Sequence, residues 1–247
     1  MPKPFHKNGV KAILFDFDGT LRHNDPGAHH FFFDHAVSLG AADSPENRRE
    51  AMRWAHLYWN SRGALISDTE KYGYDSPEFW LNYSRHYLRA FNCPDDQADD
   101  LAPALTRHMA ENYEPVNRVE ADTPALLDGL RARGYVLGLV SNRSRPYLDL
   151  VDSLGLTDYF DFIMAAGDVN SWKPDAEIFH RALDRAGARA EEAIYVGDNY
   201  YADIVGARGA GLHPVLFDPE EIFPDADCVV IDALPHLERL LNGDERR

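Results

Sequence analysis

The feature that most constrains the fold is an alternation that begins near Val116 and runs almost to the C-terminus. Apolar runs at residues 135–140, 162–165, 193–196, 214–217 and 228–231 have the length and composition of buried strands. Between and around them lie helix-like segments at 123–133, 145–154, 174–186, 201–210 and 235–241, several closed by a glycine (Gly134, Gly155, Gly187, Gly211). Strand–helix alternation of this kind requires right-handed crossovers and a mainly parallel sheet. One more apolar run, Ala12-Ile13-Leu14-Phe15, stands apart near the N-terminus and ends in Asp16-Phe17-Asp18-Gly19-Thr20. An acid is costly in apolar surroundings unless it is paired, hydrogen-bonded or bound to metal. Two acids at the end of a buried strand read as a site or, equally, as a turn and helix cap.

From Arg22 to Pro115 the sequence offers helix-like blocks and no convincing strand. Asp25-Pro26 opens the first, with a proline suited to a first helical position. Ser44-Pro45-Glu46 and Ser76-Pro77-Glu78 each supply an N-cap, a proline and an acid. Gly63, Ser67, Asp68 and Gly73 mark a looser connection. Cys93-Pro94-Asp95 opens the last block. Trp80, Tyr83, Tyr87 and Phe91 recur at helical spacing, which is what a packed helix face demands. The expected class is α/β: a parallel-sheet core at 1–21 and 116–247, with a helical bundle at 22–115 inserted into it.

Composition narrows the function classes. A formal net charge of −16 argues against general nucleic-acid binding. It leaves room for an anionic substrate met by a local cationic cluster. The N-terminal MPKPFHKNG has no apolar core of a secretory signal, and no run approaches the length of a membrane span. Cys93 and Cys228 lie far apart and outside any metal-binding spacing, as expected of two buried thiols in a cytoplasmic protein.

In a parallel α/β sheet the carboxyl ends of the strands form the ligand edge. Asp16 and Asp18 end one strand, Ser141-Asn142 a second and Asp198 a third. Lys173 precedes a helix after a fourth and can reach the same edge.

These residues resemble the four motifs of the haloacid dehalogenase superfamily, in family order. Asp16-Phe17-Asp18-Gly19-Thr20 is similar to the first, Ser141-Asn142 to the second, Lys173-Pro174 to the third and Gly197-Asp198 through Asp203 to the fourth. The resemblance implies a Rossmann-like core, Mg²⁺ and an aspartyl-phosphate intermediate. It makes Asp16 the nucleophile and Asp18 the general acid and then base, a role that a carboxylate-rich, partly buried setting would support. Asp16, Asp198 and the backbone carbonyl of Asp18 become the metal ligands. Ser141 and Asn142 contact the phosphoryl group, and Lys173 neutralises its charge. Asp203 orients Lys173 or a metal-bound water. Gly19 permits a tight approach and Thr20 a local hydrogen bond. Asn199 fits a supporting role at the metal or a helix cap equally.

The helical insertion resembles the cap of the subfamily with phosphoglycolate phosphatase, β-phosphoglucomutase, phosphonatase and the dehalogenases. Arg22, Arg48, Arg53, His56 and Arg62 are candidates for leaving-group recognition there. A dehalogenase lacks an acid at the position of Asp18, and a phosphonatase needs a cap lysine, for which Lys71 has no apolar setting. The expected activity is hydrolysis of a small phosphorylated metabolite. A mutase of the β-phosphoglucomutase type and a non-catalytic binding protein are the alternatives. The natural substrate and the oligomeric state are not encoded in these motifs.

Overall fold

The computed structural model describes residues 9–243. The N-terminal MPKPFHKNG up to Asn8, the last four residues of the tail and the outermost ends of the expected core therefore lie outside the described residues. Inter-residue contacts divide the chain into two units, one holding the chain up to His23 and from Arg118 onward, the other Asn24–Asn117.

In chain order the elements are β1 (Ala12–Phe15), β2 (His23–Asp25), α1 (Ala28–Ser38), α2 (Pro45–Tyr58), α3 (Ala64–Tyr72), α4 (Pro77–Ala90), α5 (Asp95–Asn112) and β3 (Val116–Arg118). There follow α6 (Thr123–Ala132), β4 (Val136–Ser141), α7 (Leu148–Ser153), β5 (Phe162–Ala165), α8 (Ala166–Val169), α9 (Ala176–Ala186), β6 (Ala193–Gly197), α10 (Val205–Gly209), β7 (His213–Phe217), β8 (Val229–Ile231) and α11 (His236–Asn242).

Six strands form one sheet in the order β5-β4-β1-β6-β7-β8, and each recorded pairing is parallel. β1 lies at the centre, with Phe15 opposite Leu139 of β4 on one side and Val196 of β6 on the other. The chain winds outward from β1 first one way and then the other, so the strand order reverses between β1 and β6. In a doubly wound sheet that reversal opens a crevice at the carboxyl ends of the strands. Alternate residues serve the two faces, as the period of a strand requires. Ile13, Phe15, Leu137, Leu139, Ile194 and Val196 pack with Leu126 and Leu130 of α6 and Leu237 of α11. Ala12, Leu14, Val140 and Tyr195 pack with Ile178, Phe179 and Ala182 of α9. This is the α/β class expected from the alternation.

The second unit is built on α1–α5. Ser44 and Ser76 cap α2 and α4, accepting the N–H groups of Asn47 and Phe79 at 3.0 and 3.1 Å. Each cap satisfies one of the orphan donors at a helix start. Trp54 and Tyr58 of α2, with Trp59 just after it, meet Phe79 and Tyr83 of α4 in one aromatic cluster. Three local expectations fail here. Residues 64–72 form a helix rather than a loose connection, because Gly63 and Gly73 bracket it instead of breaking it. The first helix begins at Ala28 with Gly27 as N-cap, so Pro26 precedes it. His23-Asn24-Asp25 and Val116–Arg118, which carry no apolar strand pattern, pair as a separate two-stranded sheet. No helix among the described residues is long and apolar enough to cross a membrane. Cys93 and Cys228 are buried free thiols.

Candidate active site

Asp16 is the first residue past β1, and its N–H continues the ladder to the Val196 carbonyl at 2.8 Å. The hydrophobic strand thus delivers a carboxylate to the crevice, with 6% of its surface exposed. A tight turn follows: the Gly19 N–H donates to the Arg22 carbonyl at 2.8 Å and the Leu21 N–H to Phe17 at 3.0 Å. Gly19 has φ +92°, and a Cβ on it would lie 2.4 Å from Oδ2 of Asp198. The turn therefore closes on Asp198 only because residue 19 lacks a side chain. The Thr20 hydroxyl donates to Asp198 Oδ1 at 2.8 Å. Thr20 is thus not the source of a local bond, as its place in the turn suggested, but a support for the acid at the end of β6.

Lys173 is 2% exposed, and its ammonium donates to Asp16 Oδ1 at 2.6 Å, Asp203 Oδ1 at 2.6 Å and the Tyr195 hydroxyl at 3.0 Å. Three donors meet three acceptors. The Tyr195 hydroxyl in turn donates to the Val140 carbonyl at 3.0 Å. Asp203 accepts the Asn199 N–H at 2.9 Å through its other oxygen. Asn199 caps the following wide helical turn, accepting the N–H groups of Tyr201 and Ala202 at 3.0 Å. Its side chain thereby takes the helix-cap role.

Ser141 is the buried last residue of β4, beside Ala165 of β5. Asn142 brackets Lys173: its Oδ1 accepts the Lys173 N–H at 2.7 Å, and its Nδ2 donates to the Lys173 carbonyl at 3.0 Å. Asn142, expected beside a phosphoryl oxygen through its N–H or its side chain, here uses its side chain to hold the loop that carries the lysine.

Asp18 departs most from expectation. Besides the neighbouring Asp16 carboxylate, whose pKa its charge raises, it has two arginines. Arg143 donates Nε–H to Oδ2 and Nη2–H to Oδ1, both at 2.8 Å, and Arg22 donates to Oδ1 at 3.2 Å. Arg22, a candidate for leaving-group recognition, is therefore on Asp18. Arg48, another candidate, is held within the helical unit by Asp34 and Asp43 at 2.8 Å. Arg53 faces Glu50 at 3.6 Å. The sequence reading missed Arg143 and Tyr195. The first follows Ser141-Asn142 directly, and that adjacency was the available signal. The second is indistinguishable from a core residue of β6.

The electrostatics of the cluster follow from burial. Burial pushes the Asp16 carboxyl up to about 7, against the pull of Lys173 and with the push of Asp203. Burial, then the Asp16 charge, pushes Asp198 up to about 7 as well, while the Thr20 hydrogen bond opposes. Asp203 is raised by burial and restrained by Lys173. Burial works against the Lys173 ammonium, yet Asp16 and Asp203 overcome it and hold its pKa well above the ordinary lysine value. Three carboxyls thus share one ammonium, and the surplus negative charge calls for protons or a cation. One carboxylate oxygen from each of Asp16, Asp198 and Asp203 lies within 4.8 Å of the others. An all-oxygen, acidic set fits a hard divalent ion such as Mg²⁺. Because Asp203 is spent on Lys173 and Asn199, Asp16 and Asp198 are the acids best disposed to hold it.

A family model described as haloacid dehalogenase-like hydrolase matches residues 10–211. The chain belongs to that family. The matched stretch of this hydrolase contains every residue of the cluster above. It is 33% identical over 164 residues to the mouse haloacid dehalogenase-like hydrolase domain-containing protein 3, covering 66% of this chain and 63% of that one. It is 38% identical over 214 residues to a ribulose-1,5-bisphosphate 5-phosphatase of Halopiger xanaduensis, 85% of each chain. The solved structure of a HAD phosphatase from Thermococcus onnurineus superposes with a TM-score of 0.55 at 25% identity, covering 96% of this hydrolase and 100% of that chain.

Proposed function

We propose that this hydrolase is a Mg²⁺-dependent phosphatase of small phosphorylated metabolites, working through a phosphoenzyme on Asp16. The observation that carries the reading is the bond from buried Lys173 to Asp16 beside Asp198, at the point where the strand order reverses. A carboxylate so held has one oxygen fixed and its plane set, which is what in-line attack on phosphorus needs.

In this reading Asp16 attacks the phosphorus, and the bond from phosphorus to the leaving oxygen breaks. Asp18 gives that oxygen a proton. Asp18 then takes a proton from water, which attacks the phosphorus of the phosphoaspartate and releases inorganic phosphate with Asp16 restored. Lys173 keeps Asp16 oriented and offsets the charge brought in by the phosphoryl group. Ser141 and the Asn142 backbone N–H lie at the neighbouring strand end as donors to phosphoryl oxygens. Asp16, Asp198 and the Asp18 carbonyl would hold Mg²⁺, which when bound screens the repulsion between Asp16 and the substrate. Asp203 serves Lys173. The helical unit is read as the cap that selects the leaving group, on its resemblance to the caps of this subfamily. The phosphatase activity named for the Halopiger relative supports the same class.

The test is a screen of phosphorylated metabolites, ribulose 1,5-bisphosphate among them, scored by phosphate release with Mg²⁺ and with EDTA. Release that needs Mg²⁺ and disappears in Asp16→Asn is the expected result. Full activity in that variant would end the nucleophile assignment. Isomerised product without free phosphate would favour a mutase.

A further inference from the structure

We propose that Arg143 is a positioning residue for Asp18, fixing the plane and direction in which its carboxyl meets the leaving oxygen. This rests on the reading of Asp18 as the acid of the reaction. The guanidinium takes Asp18 in a fork, Nε to Oδ2 and Nη2 to Oδ1, both at 2.8 Å. Two parallel hydrogen bonds define a plane, whereas the longer 3.2 Å bond from Arg22 Nη1 to Oδ1 does not. Oδ1 takes the Arg22 bond as well as its half of the fork, so Oδ2, with a lone pair on the side away from the fork, is the oxygen left for proton transfer.

Arg143 is itself held. Its guanidinium carbon sits 5.6 Å from the centroids of both the Phe17 and Tyr147 rings. Its backbone carbonyl accepts the Gly167 N–H at 3.1 Å. A Cβ on Gly167 would lie 2.0 Å from the Ser144 carbonyl oxygen, so α8 approaches this loop as closely as a glycine allows. An ordinary surface ion pair has no such scaffold and contributes little. Here two rings and a backbone contact place the donor and the donor places the acid, much as outer groups orient inner ones elsewhere.

A leaving-group comparison with Mg²⁺ tests this. p-Nitrophenolate departs without needing a proton, while the alkoxide of glycerol phosphate does not. Arg143→Ala should therefore lose at least about tenfold more kcat on glycerol phosphate than on p-nitrophenyl phosphate, within the usual span of acid–base catalysis. Asp18→Asn should show the same asymmetry, and adding Arg143→Ala to it should deepen the loss by less than about twofold, because the two act as one unit. Arg143→Lys keeps the charge but not the fork and should still show the asymmetry. Gly167→Ala disturbs the loop with both side chains intact, so it covers the case in which Arg143→Ala folds poorly, and should show it more weakly. Equal losses on the two esters, or a loss that multiplies with that of Asp18→Asn, would overturn the role of Arg143 and leave the phosphatase reading standing. A wild-type protein that releases phosphate from neither ester and from no compound of the metabolite screen would remove both.

Discussion

Asn142 grips the backbone of Lys173 with both ends of its amide, accepting the N–H at 2.7 Å and donating to the carbonyl at 3.0 Å. The residue after β4 and the loop residue three positions before α9 are thereby fixed to each other, and the ammonium that faces Asp16 inherits its position from that bracket. Asn142→Asp keeps the acceptor and loses the donor, while Asn142→Ala loses both. Stability should fall by about 1 kcal/mol for the first and about 2 for the second. Urea unfolding measures the stability, and turnover should drop in the same order.

Lys173→Met removes the one ammonium from a buried cluster of acids. Breaking a buried pair from one side costs about 3–5 kcal/mol, since the partner charges remain. Turnover should be lost as well. Calorimetry with and without Mg²⁺ checks this, and the metal should restore part of the lost stability, because it replaces the missing positive charge.

The pH dependence follows from Asp16 and Asp198, both pushed by burial from 3.8 to about 7 without a cation. Folded-state values above the unfolded ones mean that the folded state binds these protons more tightly. Their contribution to stability is therefore greatest in acid and is lost as pH rises through about 4 to 7. The metal-free protein should melt at a lower temperature at about pH 8 than at about pH 5.5. Saturating Mg²⁺ should raise Tm more at the higher pH, where the carboxylates are open to it. Equal shifts at the two values would contradict the assignment of these acids as ligands.

Thr20→Val deletes the hydroxyl that Asp198 accepts at 2.8 Å and keeps the volume. Groups that orient a metal ligand commonly contribute about 10- to 100-fold in metal affinity. A titration of activity against Mg²⁺ should show the half-saturating concentration rising by about that factor, with kcat at saturation much less changed.

The chain end of each central strand was legible because an apolar run stopped at a polar residue: Asp16, Ser141 and Asp198 all follow that rule. The sheet made their convergence a matter of topology. Tyr195 escaped because a tyrosine in AIYVG satisfies the strand pattern by its ring alone, and its hydroxyl gains a role only when Lys173 arrives from elsewhere. Nothing local marks Asp18 as the partner of Arg143, 125 positions away. The helix at 64–72 was hidden by glycines that serve as its boundaries. Short-range pattern carries elements and their ends. The choice of partner among charged side chains is made by the fold.

The ammonium that neutralises the first acid comes from far along the chain: Lys173 lies 157 positions after Asp16. A ribosome therefore produces the Asp16 carboxylate early and its counter-charge late. Until the stretch that includes Lys173 has emerged and folded, the nascent chain holds an acid at the end of a hydrophobic strand without its ammonium partner. A chain that still lacks Lys173 is left with an incentive to stay open rather than to close on an uncompensated charge.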